Sequence, residues 1–399
     1  MTHYPLQLTP IYKEMLWGGN RLSTVYNRDL PYKKTGESWD ISCRPGEMGI
    51  IENGPATGLT LQEYIARDRA GTLGTRLAGQ ERFPLLIKLI DANDVLSVQV
   101  HPDDVYAGAA AGKMAGPIGT ATCITGGWNA ADTGKTEMWY ILIPPACGHL
   151  IIGLKPGITR DTLRQAYKDG MVEACLNPLP VTTGDIVNIP AGLVHALTPG
   201  AMVAEVQQNS DITYRLYDYN RLGLDGKPRQ LHIDDALAVT DFEGKIPKAT
   251  VPGLDIKKGD CTLTYAIANP YFAIIKYNLK EPLAETSNTA AFSIFTCVKG
   301  EAEIISTDLD LTSGACNLWG AKRTSKKTGA SPHQISISLP LGRSVFIPAG
   351  LGRYTLRPRH GCCTLLKSFV PDIKNDFLAP LRDNGYSDNK IATNTAVQN

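Results

Sequence analysis

Four side chains in this chain could hold a metal ion between them: His101, His195, Glu137 and Gln99. Gln99 and His101 lie in Ser97-Val98-Gln99-Val100-His101-Pro102-Asp103-Asp104, where β-branched residues alternate with polar ones and Pro closes the run, so it reads as a strand. Side chains two apart on a strand share a face, so Ser97, Gln99 and His101 point one way while Val98 and Val100 point into packing. Unpaired buried polar groups cost free energy, which makes the polar face either a site or an exposed surface. Lys135 and Glu137 share a face of a second strand, Gly134 to Ile143. Two imidazoles, a carboxylate and an amide oxygen suit Zn²⁺, and two histidines with one carboxylate also suit Fe²⁺.

The surrounding elements are mostly short strands. The apolar run Pro84 to Ile90 leads into the Gln99–His101 strand, and strands resume at Gly184. Thr60-Leu61-Gln62-Glu63 has capping-box spacing and starts a helix. Thr159 caps another, with Leu163, Ala166 and Tyr167 as its stripe and Gly170 as its end; His232 to Val239 is a third. Thr9 to Ile51 reads as irregular, with Glu37 in Gly36-Glu37-Ser38-Trp39 taken as a cap rather than a site residue. Asp104 to Gly134, rich in Ala, Gly and Thr, reads as a surface loop beside the site, and the polar tail beyond Ile373 as loosely ordered. Length favours two domains, with a boundary near Lys245 to Val251 that separates residues 1–250 from 251–399.

One repeat fixes the fold class. Gly184, Pro190, Gly192 and His195 follow the spacing G-x5-P-x-G-x2-H, and Gly342, Pro348, Gly350 and Arg353 repeat it with Arg in the last place. One framework per half is an internal duplication: a tight Gly turn enters a strand, and a Pro-Gly corner aims the residue after it. The pattern resembles the second motif of the cupin superfamily, small jelly-roll β-barrels whose final His is a metal ligand. The expected fold is therefore all-β dominated, two cupin (jelly-roll) barrels with a few short helices. Only the first repeat ends in His, so residues 1–250 are expected to carry the metal and 251–399 to form a second barrel without ligands.

Composition narrows the class of partner. Forty basic residues against thirty-nine acidic argue against nucleic acid or an anionic membrane, and leave room for one local basic site for a small anion. Nine cysteines without a C-x-x-C pair read as reduced thiols of a cytoplasmic protein. Neither a signal peptide nor an apolar run long enough to span a membrane is read from the sequence.

Gly36 to Trp39, Ser97 to Asp104, Gly134 to Tyr140, Pro190 to His195 and Glu205 to Tyr219 together resemble the type I phosphomannose isomerases, zinc-dependent mannose-6-phosphate isomerases, in their bacterial short form. Only 57 residues separate Glu137 from His195, so the large helical insertion of the fungal and enteric members is missing. The resemblance implies one Zn²⁺ per chain on Gln99, His101, Glu137 and His195. It implies Arg215 as the catalytic arginine, Lys135, Glu205 and Asp211 as pocket residues, and Ser97 near the phosphate of a small-molecule sugar phosphate. Glu205 is the first choice of base because it is not needed as a ligand, with Asp211 second. The rival readings are a cupin Fe(II) oxygenase, which would not need Lys135, Glu205 and Arg215, and a non-catalytic sugar-binding cupin.

Overall fold

The structure, a computed structural model, describes residues 2–114, 132–243, 250–309 and 333–398. The chain divides into two compact units that do not follow a single cut near residue 250. One comprises Tyr12–Trp39 and Leu85–Val251; the other comprises Met1–Ile11, Asp40–Pro84 and Pro252–Asn399. The expected 1–250 segment thus contributes two stretches to the other unit, a long-range arrangement that local pattern cannot signal. The expected boundary stretch itself falls largely on residues 244–249, outside the described residues.

The unit that holds the candidate site is built from two antiparallel sheets. Its strands are β1 (Ile11–Gly19), β2 (Thr35–Ile41), β3 (Leu85–Asp91), β4 (Val98–Val100), β5 (Glu137–Ile143), β6 (His149–Leu154), β7 (Leu176–Pro180), β8 (Ile186–Ile189), β9 (His195–Ala196), β10 (Met202–Gln208) and β11 (Tyr214–Tyr217). One sheet runs β8-β5-β10-β3-β2-β1 and the other β7-β6-β9-β4-β11. An apolar cluster joins them: Ile90, Trp139, Ile141, Val187, Ile189 and Val203 of the first sheet meet Leu150, Ile152 and Leu179 of the second. The outer face of the second sheet is apolar too. Val98, Val100 and Leu216 pack there with Leu163 of helix α1 (Arg160–Lys168) and Leu237 of helix α2 (Ile233–Val239). The strand alternation expected around Gln99 is therefore present, with both valines fully buried.

The other unit holds an eleven-stranded sheet, in which Ser344–Ile347 of the second repeat lies between Ser293–Leu309 and Leu6–Thr9. The structure is mostly β, as expected, but no sheet closes on itself among the described residues, so neither unit is drawn as a closed barrel. No helix among the described residues is long and apolar enough to cross a membrane.

Three local expectations are corrected. Thr9 to Ile51 is not irregular, because it supplies β1 and β2 as well as the short strands Cys43–Arg44, Glu47–Met48 and Ile50–Ile51. β1 carries Lys13 and Glu14 because it lies at a sheet edge with much of its length half-exposed; β2 is buried yet polar, since Glu37 finds an ionic partner. Asp104–Met114 is a helix rather than loop, while most of the Ala/Gly stretch that follows lies outside the described residues. The tail is ordered: Ile373–Leu378, Ala379–Asp383 and Asp388–Asn394 are helical, and Ala396–Val397 pairs in parallel with Ile267–Ala268. Three of its apolar residues, Phe377, Leu381 and Ile391, are buried in the core, with Phe377 edge-on to Tyr265 at 5.3 Å. Phe377→Ala should therefore lower stability by about 3–5 kcal/mol in urea unfolding. A change below about 0.5 kcal/mol, typical of a surface substitution, would return the tail to the solvent.

Candidate metal centre

Antiparallel register explains how distant residues converge. Partners across a ladder share a sheet face, so Ile189, Glu137 and Gln207 form one row across β8, β5 and β10. Val187, Trp139, Glu205 and Lys88 form the next row, which reaches β3. Rows nearer the far end of this face are aliphatic, with Ile141, Val203 and Ile90 in line. From the second sheet, Gln99 stands between His195 and Arg215 in a third row.

His101, Glu137 and His195 are buried, and one ligand atom from each lies within 4.8 Å of the others. Among the described residues they are the one such group of three. His195 Nε2 is 3.3 Å from Glu137 Oε1, and His101 Nε2 is 3.5 Å from Oε2. Each imidazole is oriented from behind: His101 Nδ1 lies 2.7 Å from the Ile212 carbonyl, and His195 Nδ1 lies 2.8 Å from that of Leu193. Those carbonyls can only accept, so both Nδ1 atoms carry the proton and both Nε2 lone pairs face the carboxylate. Burial, aided by the Lys135 charge, holds His101 well below the usual imidazole range. Burial likewise brings His195 down to about 4. Neutral imidazole is the form that binds metal.

Glu137 makes the strongest case for a cation. Both its oxygens are buried without a hydrogen bond. Lys135 Nζ stands 2.7 Å from Oε2 as an ion pair, but outside hydrogen-bonding direction, and 3.1 Å from His101 Nε2. Gln99 presents its amide nitrogen to His195 Nε2 at 3.3 Å. The backbone delivers these groups through tight corners. Gly192 adopts φ +86° and donates from its N–H to the His101 carbonyl. A Cβ on Gly134 would come within 2.5 Å of the Asp103 backbone, a closeness only Gly permits, and Lys135 N–H then donates to the Pro102 carbonyl.

A second buried charge group adjoins the first. Lys88 Nζ lies 3.4 Å from Glu37 Oε2 and 3.5 Å from Glu205 Oε1. Trp39 donates to Glu37 at 2.6 Å and Trp139 to Glu205 Oε2 at 2.8 Å, while the Trp139 ring meets His195 edge-on at 5.4 Å. Burial alone would lower the Lys88 ammonium, but Glu37 and Glu205 outweigh it and raise it above its ordinary value. Burial, with Glu137 nearby, raises the Glu205 carboxyl, and its Oε1 has no hydrogen bond. Two ammonium groups, Lys88 and Lys135, thus face three carboxylates, Glu37, Glu137 and Glu205. The excess negative charge fits a bound cation.

The remaining expected residues are further out. Ser97 is buried just ahead of β4. Arg215 lies on β11 two strands from His195, donating to the Gln230 carbonyl at 2.8 Å. Asp211 is exposed; its backbone N–H bonds Asp132, and its side chain pairs with neither Lys135 nor Arg215. Sequence reasoning passed over Lys88 and Trp139, and favoured a cap for Glu37, which instead pairs with Lys88. The signal for Lys88 was a lone lysine inside the run Leu85-Leu86-Ile87-Lys88-Leu89-Ile90, all of it buried. A cavity lined by Lys155, Pro190, Leu193 and Phe242 lies behind the turn that carries His195, and none of the metal-site side chains lines it.

Comparison with known proteins agrees with this geometry. Residues 6–115 match the model of the catalytic domain of type I phosphomannose isomerase. The probable mannose-6-phosphate isomerase GmuF of Bacillus subtilis is 34% identical over 79% of this chain and 92% of its own length. The mannose-6-phosphate isomerase of Streptococcus mutans is 33% identical over 75% of this chain and 86% of its own. The crystal structure of a mannose 6-phosphate isomerase from Bacillus subtilis superposes with a TM-score of 0.73 at 29% identity, covering 92% of this chain and 99% of that one.

Among the described residues the second repeat offers no counterpart centre. Arg353 is exposed, and the core beside its strand is filled by Phe295, Tyr277 and Tyr354. Elemental analysis should therefore find one divalent metal per chain, lost in His195→Ala and kept in Arg353→Ala. Loss of metal in Arg353→Ala would contradict a single centre.

Proposed function

Because the chain belongs to the type I phosphomannose isomerase family, we propose that it interconverts mannose 6-phosphate and fructose 6-phosphate at the His101–Glu137–His195 centre. The observation that carries this reading is Glu205: a buried carboxylate whose Oε1 accepts no hydrogen bond, on the same sheet face as Glu137. We assign zinc to the centre, held by His101, Glu137 and His195, with Gln99 as fourth ligand after a half-turn that exchanges its amide nitrogen for oxygen. When bound, the ion acts as a Lewis acid toward the sugar oxygens.

The protein's own groups account for the proton movement. Aldose–ketose interconversion shifts one proton between neighbouring carbons through an enediolate, and the carbon acid is weak, so developing oxyanion charge must be met by fixed charge. Glu205 Oε1 takes the proton at C2 and returns it at C1, while the hydroxyl proton passes from O2 to O1. Trp139 and Lys88 hold that carboxylate in place. The Lys135 ammonium faces the centre and hydrogen-bonds the sugar oxygens as charge develops. Arg215 adds a permanent planar cation, and Ser97 lies toward the phosphate. Asp211, being exposed, is the weaker candidate for base. The two sheets with their shared core would be the jelly roll of a cupin, and 251–399 the main part of a second one without metal.

Two histidines and a carboxylate also suit an iron oxygenase, but that chemistry gives no role to the buried Lys88, Lys135 and Glu205. A non-catalytic sugar binder would have no use for a buried carboxylate oxygen without a hydrogen bond on the site face. Glu205→Gln keeps the shape and cannot accept a proton. It should retain metal while exchange of substrate hydrogen with deuterated water falls by about 100-fold or more. Persistent exchange in Glu205→Gln, with loss in Asp211→Asn, would move the base to Asp211.

A further inference from the structure

Gln207 is a polar side chain on the face that carries Glu137 and Glu205, and it is fully buried. It stands beside Glu137 across the ladder, in the row Ile189–Glu137–Gln207. It also follows Glu205 by two residues on β10, so both side chains leave the same face from backbone positions about 7 Å apart. Its other ladder neighbour, Leu86 of β3, is apolar.

The Gln207 amide is held in one orientation. Its Nε2 donates to the Gln208 carbonyl at 2.8 Å and to the Ser210 carbonyl at 2.5 Å. Carbonyls only accept, so the nitrogen end is fixed and both of its protons are used. The turn it grips is anchored in turn, since Ser210 Oγ donates to the Thr133 carbonyl at 2.8 Å. That leaves Oε1, a buried acceptor with no hydrogen bond among the described residues. The next residue makes the contrast. Gln208 accepts from the Thr136 N–H through Oε1 at 2.8 Å and donates to Asp104 through Nε2 at 3.1 Å, so both of its ends are met.

Three other oxygens on this face share that condition: both of Glu137 and Oε1 of Glu205. As carboxylates and a fixed amide, all four accept, so a ligand must bring what they lack. A cation meets Glu137, and a carbon acid meets Glu205. The amide oxygen is uncharged and calls for a neutral donor, which a sugar supplies as a hydroxyl. A sugar whose reacting carbons lie at Glu205 carries its next hydroxyls within the span to Gln207. We propose that Gln207 binds substrate, its Oε1 accepting from the hydroxyl on C3 or C4. The proposal rests on the isomerase reading for the identity of the sugar, whereas the contact itself is tested by binding, without turnover.

Calorimetric titration of the holoenzyme with mannose 6-phosphate and with its 3-deoxy and 4-deoxy analogues makes the test. In the wild type one of the two analogues should bind about tenfold more weakly, the scale of one hydrogen bond to a buried acceptor. Gln207→Met keeps the length and loses the acceptor, so there the penalty should shrink to about twofold or less. Gln207→Glu gives up the donors to the turn yet keeps an acceptor, and should retain most of the penalty. A side chain that only braces the turn would behave otherwise, with all three sugars weakened alike in both variants. An undiminished penalty in Gln207→Met would overturn the proposal, as would a wild type that binds the three sugars equally. The second of these outcomes needs no variant, so it decides the matter even where metal content and melting temperature show that Gln207→Met does not fold. A penalty that depends on Gln207, without any isomerisation of mannose 6-phosphate, would keep the contact and refute the isomerase reading. Turnover without such dependence would do the reverse.

Discussion

The constraint on which the site depends is the burial of five charged side chains against one sheet face. Glu37, Lys88, Lys135, Glu137 and Glu205 lose most of their water, so each must be stabilised by the others or by an ion. Breaking one buried pair costs about 3–5 kcal/mol because the partner is left uncompensated. The unit meets this demand with rigid supports: flat sheet register, two tryptophan N–H donors, and backbone carbonyls behind each imidazole. Those supports leave three oxygens, both of Glu137 and Oε1 of Glu205, without hydrogen bonds. Buried acceptors without hydrogen bonds, set beside two ammonium groups, are poised for chemistry: one pair for a cation, one for a proton.

The duplicated Gly/Pro framework shows that geometry alone does not make a centre. Ile186–Ile189 and Ser344–Ile347 are both short buried strands inside larger sheets, and both lead through a Pro-Ala-Gly turn. In the first copy the residue after the corner is a buried His opposite Gln99. In the second it is an exposed Arg, and aromatic rings occupy the neighbouring interior. Polar ligands in one copy and close apolar packing in the other are two solutions to filling equivalent space.

Much of the centre was legible because its ligands sit on strongly patterned strands or at Gly/Pro corners. Gln99 and His101 follow the two-residue period, His195 follows the repeat, and Lys135 with Glu137 share one face as expected. Lys88 and Glu37 were harder to read, since each makes sense only beside the other and 50 intervening residues hide that pairing. The same limit applies to β2, whose polar sequence looks irregular until its partners are known. In the tail, apolar residues scattered among many polar ones were too sparse to register as a pattern, yet Phe377, Leu381 and Ile391 are core. The two units interleave along the chain for a topological reason: Leu6–Thr9 pairs with Ser344–Ile347, more than 300 residues away.

Removal and return of metal tests the central claim most directly, by following conversion of mannose 6-phosphate to fructose 6-phosphate. The chelated protein should be folded and inactive, and one equivalent of zinc per chain should restore turnover in the wild type but not in His195→Ala. Full turnover by metal-free protein would contradict the account.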